Sequence, residues 1–212
     1  MNRTLGEIRS DIQIRLGFGA AGQAGVVNAP IVDSFVKSAD EQLYWQCEWR
    51  NLIGAQERLT GIDQALYYYP PDANPSRVLQ IAVRSGGVWQ PLQAGIELHH
   101  RSRDIRGVPY RYDATAQVEL WPVPDEQIPL RFEYVKAYQH MVSDNDRPMC
   151  DSQLVFLQAL VNAKLHYRQP DGQVYADQMR ALLDKTVQQQ RRHSSFSRGC
   201  NDVVLPPPRV IY

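Results

Sequence analysis

The densest run of side chains able to do chemistry is His99-His100 followed by Arg101, Arg103 and Arg106. Two imidazoles could ligate a metal, and guanidinium groups can grip carboxylate or phosphate. Read as part of a strand, adjacent histidines point to opposite faces and make a poor chelating pair. No carboxylate or cysteine is counted at a ligand spacing beside them, so the expectation is no metal site. What remains is a solvated loop, or a loop that touches an acidic protein surface or DNA phosphate.

Other patterns lead to blander readings. Gly17-Phe18-Gly19-Ala20-Ala21-Gly22 fits G-x-G-x-x-G, but a dinucleotide fingerprint needs a buried strand before it and a helix opening within it. The preceding segment reads as a capped helix, and Gly25 and Pro30 delay the next one. Asp144-Asn145-Asp146 opens like a calcium loop, yet Met149 stands where that loop needs glycine and no glutamate closes it. It reads as a turn before a helix. Cys47, Cys150 and Cys200 form no C-x-x-C pair, which argues against a disulfide framework or a zinc knuckle. No G-x-S-x-G, H-E-x-x-H or Walker pattern occurs. The expectation is no catalysis, no cofactor and no metal.

Two further segments suggest contact with other proteins. Tyr67-Tyr68-Tyr69 beside Pro70-Pro71 fits either aromatics packed over a sheet or aromatics exposed at a subunit contact. At the end of the chain, Leu205 is followed by Pro206-Pro207-Pro208 and, after Arg209, by Val210-Ile211-Tyr212. Three prolines hold the chain extended, and the last three residues favour a strand. A stiff spacer with an apolar tip suits docking to a neighbour's sheet edge or groove.

The elements that must position these residues follow from periodicity. Thr4-Leu5-Gly6-Glu7 has the form of a capping box, Leu5, Ile8, Ile12 and Leu16 recur at helical spacing, and Gly17 falls where a terminating glycine would. A second helix is expected from Asn28 and Pro30, with Ile31, Phe35, Ala39, Leu43 and Cys47 four apart. Between about Gln56 and Tyr138 short alternating runs replace the helical period. Val78, Ile81 and Val83, then Ser85-Gly86-Gly87, then Val88-Trp89 read as a hairpin. Val118–Trp121 and Leu130–Val135 alternate likewise, with Pro122 and Pro124 between them. Asp151 can cap a third helix, and Gln169-Pro170-Asp171-Gly172 separates it from a fourth. The expected fold is α+β: an antiparallel four-helix bundle from residues 1–55 and 144–193, a β-sheet insertion at 56–143, and an extended tail at 194–212.

The formal net charge is +0, which argues against a broad phosphate-gripping face. The N-terminus lacks an apolar signal core and no apolar run could span a bilayer. A chain made in the cytoplasm with reduced thiols is expected.

The order of the pieces resembles the head-to-tail adaptor (connector, or head-completion) proteins of tailed bacteriophages. The resemblance rests on Thr4-Leu5-Gly6-Glu7-Ile8-Arg9, Glu48-Trp49-Arg50, Val108-Pro109-Tyr110-Arg111-Tyr112, Val118-Glu119-Leu120-Trp121-Pro122-Val123-Pro124, Leu130-Arg131-Phe132-Glu133-Tyr134 and Asp144-Asn145-Asp146-Arg147-Pro148. It implies a closed ring of about twelve copies below the portal protein, in the neck of the virion. It implies portal and tail proteins as partners, double-stranded DNA passing through the lumen without sequence specificity, and no membrane. It also implies that the tail, including Leu205 and Tyr212, reaches the portal or a neighbouring subunit. The alternatives are another neck component (stopper or tail-tube gatekeeper), a small nucleic-acid-binding module that uses the Arg101–Arg106 stretch, or an enzyme whose site assembles across the sheet.

Overall fold

The computed structural model describes residues 3–18 and 23–192. The chain begins with helix α1 (Leu5–Arg15). Both arms of its capping box form: the Glu7 amide donates to Thr4 Oγ1 at 3.3 Å and the Thr4 amide to Glu7 Oε2 at 2.9 Å. At its other end Gly17 takes φ +83°, the left-handed region that glycine enters without strain. Phe18 N–H reaches Gln13 O at 2.8 Å and Gly17 N–H reaches Ile14 O at 3.1 Å. Together these two bonds form a Schellman motif.

Helix α2 (Gln23–Gln46) begins before the expected start and carries Pro30 within it. Proline removes one helical hydrogen bond but holds a helical φ, and Pro30 is exposed. The buried stripe is Val32, Val36, Ala39, Leu43 and Tyr44, one position away from the expected stripe at its start. Ile31 is therefore at the rim, and Trp45 is 54% exposed. Trp49 closes the helix by donating from Nε1 to Leu43 O at 2.6 Å.

Two sheets follow. The first contains β1 (Ile53–Leu59), β3 (Ala73–Ser85), β4 (Val88–Pro91) and β8 (Pro129–Lys136), in the order β1-β8-β3-β4 and antiparallel throughout. The β3–β4 turn is Gly86-Gly87, with φ +59° and +82°, a two-residue turn of the primed kind that matches strand twist. The second sheet contains β2 (Leu66–Tyr67), β5 (Gln93–Ala94), β6 (Arg111–Ala114) and β7 (Val118–Trp121), in the order β2-β7-β6-β5 with β5 and β6 parallel. A short helix, α3 (Leu98–Arg101), lies between β5 and β6, and α4 (Ser152–His166) and α5 (Gly172–Arg192) complete the chain's described part.

This corrects the expected bundle with a sheet insertion. The described residues form an α+β fold with five helices and two four-stranded sheets, and the strands have a core of their own. Tyr67, Ile81, Val83, Val118, Leu120, Leu130 and Phe132 form one buried cluster drawn from both sheets. The sequence reading puts the runs at β7 and β8 in one antiparallel sheet. The segment Pro122-Val123-Pro124 instead carries the chain from one sheet to the other, because a ladder cannot continue through residues without an N–H. The helical core is not closed by helices alone, since Leu52 and Val135 from the sheet region belong to it. Within β8, Leu130, Phe132 and Tyr134 face the second core and Val135 the first, as the two-residue strand period requires.

Candidate contact surface

Three polar clamps consume side chains that sequence reading leaves free. Arg9 donates to both oxygens of Asp33 (2.5 and 2.9 Å) and both of Asp144 (2.6 and 3.3 Å). The Arg9 guanidinium thereby holds the Asp144 carboxyl below the usual carboxylate range. Asp146 accepts from the Val142 and Ser143 amides, each at 2.7 Å, and the Ser143 bond leads in lowering its pKa. Asp144-Asn145-Asp146 is thus the turn before α4. The fully buried Asp40 accepts from Cys150 N at 3.0 Å, Met149 N at 3.2 Å and Tyr138 Oη at 3.1 Å. Burial, with Asp40 adding to it, pushes both the Cys150 thiol and the Tyr138 phenol up, so Cys150 is a poor nucleophile. Lys164, 4% exposed, donates to Arg15 O at 3.1 Å, Gln169 Oε1 at 2.7 Å and Asp171 Oδ2 at 2.8 Å.

The histidine–arginine segment is not a strand. Leu98–Arg101 forms the single turn of α3, which places the rings of His99 and His100 side by side with centroids 4.0 Å apart. His100 packs edge-on against Trp121 at 4.2 Å. The expectation that the two rings point apart is therefore wrong. So is the count of nearby carboxylates: Glu97 Oε2 lies 3.2 Å from His99 Nδ1.

The three arginines separate by role. Arg101 reaches Asp113 at 2.5 Å and Glu119 at 2.8 Å. Those two carboxylates face each other across β6 and β7, and like charges in register repel. Arg101 relieves that repulsion. Arg106 binds Asp63 at 2.5 Å. The Arg103 guanidinium has no ion pair among the described residues and is exposed.

The second sheet carries exposed apolar side chains, of which sequence reading singled out only the tyrosine run as one possible contact. Backbone bonds tie its loops together: Asp63 N to Pro124 O at 2.9 Å, Val123 N to Ile105 O at 3.1 Å and Gly107 N to Val123 O at 3.0 Å. On and beside these loops Ile62 is 61% exposed and Tyr110 48%, while Leu66, 51% exposed, and Tyr68, 73% exposed, lie along β2 and its continuation toward the β6–β7 turn. Of the tyrosine run, Tyr67 is core and donates to Gln64 O at 2.7 Å, whereas Tyr68 faces solvent. Isolated exposed apolar residues need no explanation; several along one sheet mark a candidate contact surface. Arg106 and Asp63 lie on the bonded loops at one end of it.

A shallow depression along α2, lined by Ser38, Glu41, Gln42, Trp45 and Gln46, brings no nucleophile and base together. No helix among the described residues is long and apolar enough to cross a membrane. The tail segment from Leu205 to Tyr212, with Pro206, Pro207, Pro208, Val210 and Ile211, lies outside the described residues, as do Cys200 and residues 19–22 of the glycine motif.

Side chains committed to internal clamps, together with exposed apolar residues along the second sheet, leave no assembled catalytic group among the described residues and a surface suited to contacts. The family of the SU10 adaptor protein matches residues 3–200, and the chain belongs to that family. It is thus a phage adaptor, a structural component of the virion, and membership of such a family implies a role other than catalysis. Compared with individually characterised proteins, the chain matches none.

Proposed function

We propose that the chain is one subunit of a ring of about twelve copies that sits below the portal and joins head to tail. The family match carries this reading. The exposed apolar side chains of Ile62, Leu66, Tyr68 and Tyr110 along the second sheet support it, because a closed ring needs complementary faces on each subunit. A net charge of +0 suits a lumen through which double-stranded DNA passes without being held. The partners are the portal protein, tail proteins and further copies of the chain.

Within the basic segment, Arg103 takes the contact to an acidic protein surface or to DNA phosphate, because Arg101 and Arg106 are engaged inside the subunit. The segment from Leu205 to Tyr212 docks on the portal or an adjacent subunit, its apolar tip offsetting the cost of ordering. Electron microscopy of the full chain mixed with portal tests the whole reading. A ring on portal is expected, and a chain lacking residues 205–212 should stay folded but dock more weakly. Particles in which the chain lies outside the neck would overturn the assignment; unchanged docking of the truncated chain would overturn the role of the tail.

A further inference from the structure

The helical turn at α3 brings three potential ligands together. Glu97, His99 and His100 each offer one atom, and these atoms lie within 4.8 Å of one another. We propose that these three residues form a binding site for a divalent transition-metal ion of borderline softness, with Zn2+ as the reference cation. Two imidazoles and one carboxylate suit Zn2+, Ni2+ or Cu2+, whereas Ca2+ and Mg2+ need oxygen ligands that this cluster lacks.

The spacing fits. A tetrahedral ion with bonds of ~2.0–2.1 Å holds its ligands about 3.3 Å apart. Glu97 Oε2 and His99 Nδ1 are already 3.2 Å apart, so a cation can take the place of the proton between them. The carboxylate is oriented through its other oxygen: Arg111 Nη1 lies 3.8 Å from Glu97 Oε1 and donates to Gly95 O at 3.0 Å. Ligating carboxylates ordinarily have such a partner. His100 Nδ1 is shielded from solvent with no hydrogen-bond partner among the described residues. A buried polar atom left in that state calls for an explanation, and it makes His100 the member of the cluster whose surroundings are incomplete. The His100 ring is held by contacts with both Trp121 and His99.

Three ligands leave at least one coordination position open to water or to a donor from a docked partner. The arginines nearby, Arg103 and Arg111, oppose a cation and keep the affinity modest, in the micromolar range. The site adjoins the apolar loops through Trp121, whose ring also meets Tyr110 at 5.0 Å. Filling it would stiffen the α3 turn next to the surface that other subunits or partners meet.

The test uses the full chain, purified without a histidine tag, and Zn2+ titrated by calorimetry. One ion per chain is expected to bind. Glu97→Gln, which keeps side-chain shape, and His99→Ala, at an exposed position, should each weaken binding by about tenfold or more. His140→Ala, elsewhere in the fold, should leave it unchanged. In parallel, imidazole proton resonances of His99 and His100 should move on adding Zn2+ while that of His140 stays. Binding that survives either ligand substitution, or no saturation below about 1 mM Zn2+, overturns the site.

Discussion

Replacing Asp40 should be among the most damaging single changes in this protein. Its carboxylate is fully buried and accepts three hydrogen bonds, two from the backbone at Met149 and Cys150 and one from Tyr138. It thus fastens α2 to the segment that leads from β8 into α4. Asp40→Ala removes the acceptor from all three donors at once. Each buried donor left unpaired costs ~1–3 kcal/mol. Deleting the carboxylate also relieves its own desolvation, so the net loss is about 2–4 kcal/mol. That is a large part of the ~5–15 kcal/mol by which a domain is stable. Urea unfolding followed by far-ultraviolet circular dichroism reads the change as a lower midpoint at constant slope. Tyr138→Phe should cost about 1 kcal/mol in the parent chain and almost nothing in the Asp40→Ala background, because the two groups share one bond. A loss below about 1 kcal/mol for Asp40→Ala, or strict additivity with Tyr138→Phe, would refute the clamp.

Three further outcomes follow. Lys164→Met should lower stability by about 2–3 kcal/mol in the same assay, since it strands Arg15 O at the end of α1 and leaves Asp171 without its cation. Asp144 and Asp146 have folded-state pKa values below their unfolded ones, so their contribution is present above about pH 3.9 and is lost as pH falls through the folded values; Asp146→Asn should flatten the acid limb of a midpoint-versus-pH curve. Arg101→Ala should cost about 1 kcal/mol, its partly exposed pairs being screened, whereas Arg103→Glu should leave the unfolding midpoint unchanged and weaken attachment to portal particles in co-sedimentation.

What the sequence made legible was local. The capping box at Thr4 and Glu7, the terminating Gly17 and the Gly86-Gly87 turn each depend on residues within a few positions of one another, and the structure has all three. The split into two sheets was not legible, because strands as short as Leu66–Tyr67 and Gln93–Ala94 show no alternation to read. The four-residue α3 is likewise too short to display a helical period, and assuming a strand there set the two histidines on opposite faces. The partners of Arg101 lie 12 and 18 residues away on two strands, so its commitment could be seen only once β6 and β7 were in register. The segment from Leu59 to Tyr68 mixes core and surface, most sharply at the adjacent Tyr67 and Tyr68, a distinction the strand period of β2 fixes.

The two cores meet along one strand, and that arrangement bears on how a contact protein can be built. Leu130, Phe132 and Tyr134 belong to the core between the sheets, while Val135 belongs to the helical one. Lys136, at the end of the same strand, accepts from Tyr44 Oη of α2 at 2.9 Å through its carbonyl. Arg77 of β3 donates to the carbonyls of Tyr44 and Cys47, the latter at 2.9 Å. These bonds join the helical and sheet cores through the part-buried Tyr44 and Arg77 side chains, each ending on a main-chain carbonyl of the other region. Ties of this kind restrain the second sheet relative to the exposed face of α2 around Trp45. Two unlike faces held at a constant angle are what the ring proposed above would require of its subunit. A flexible hinge at the same place would let each added copy drift from the rotation that closes a ring.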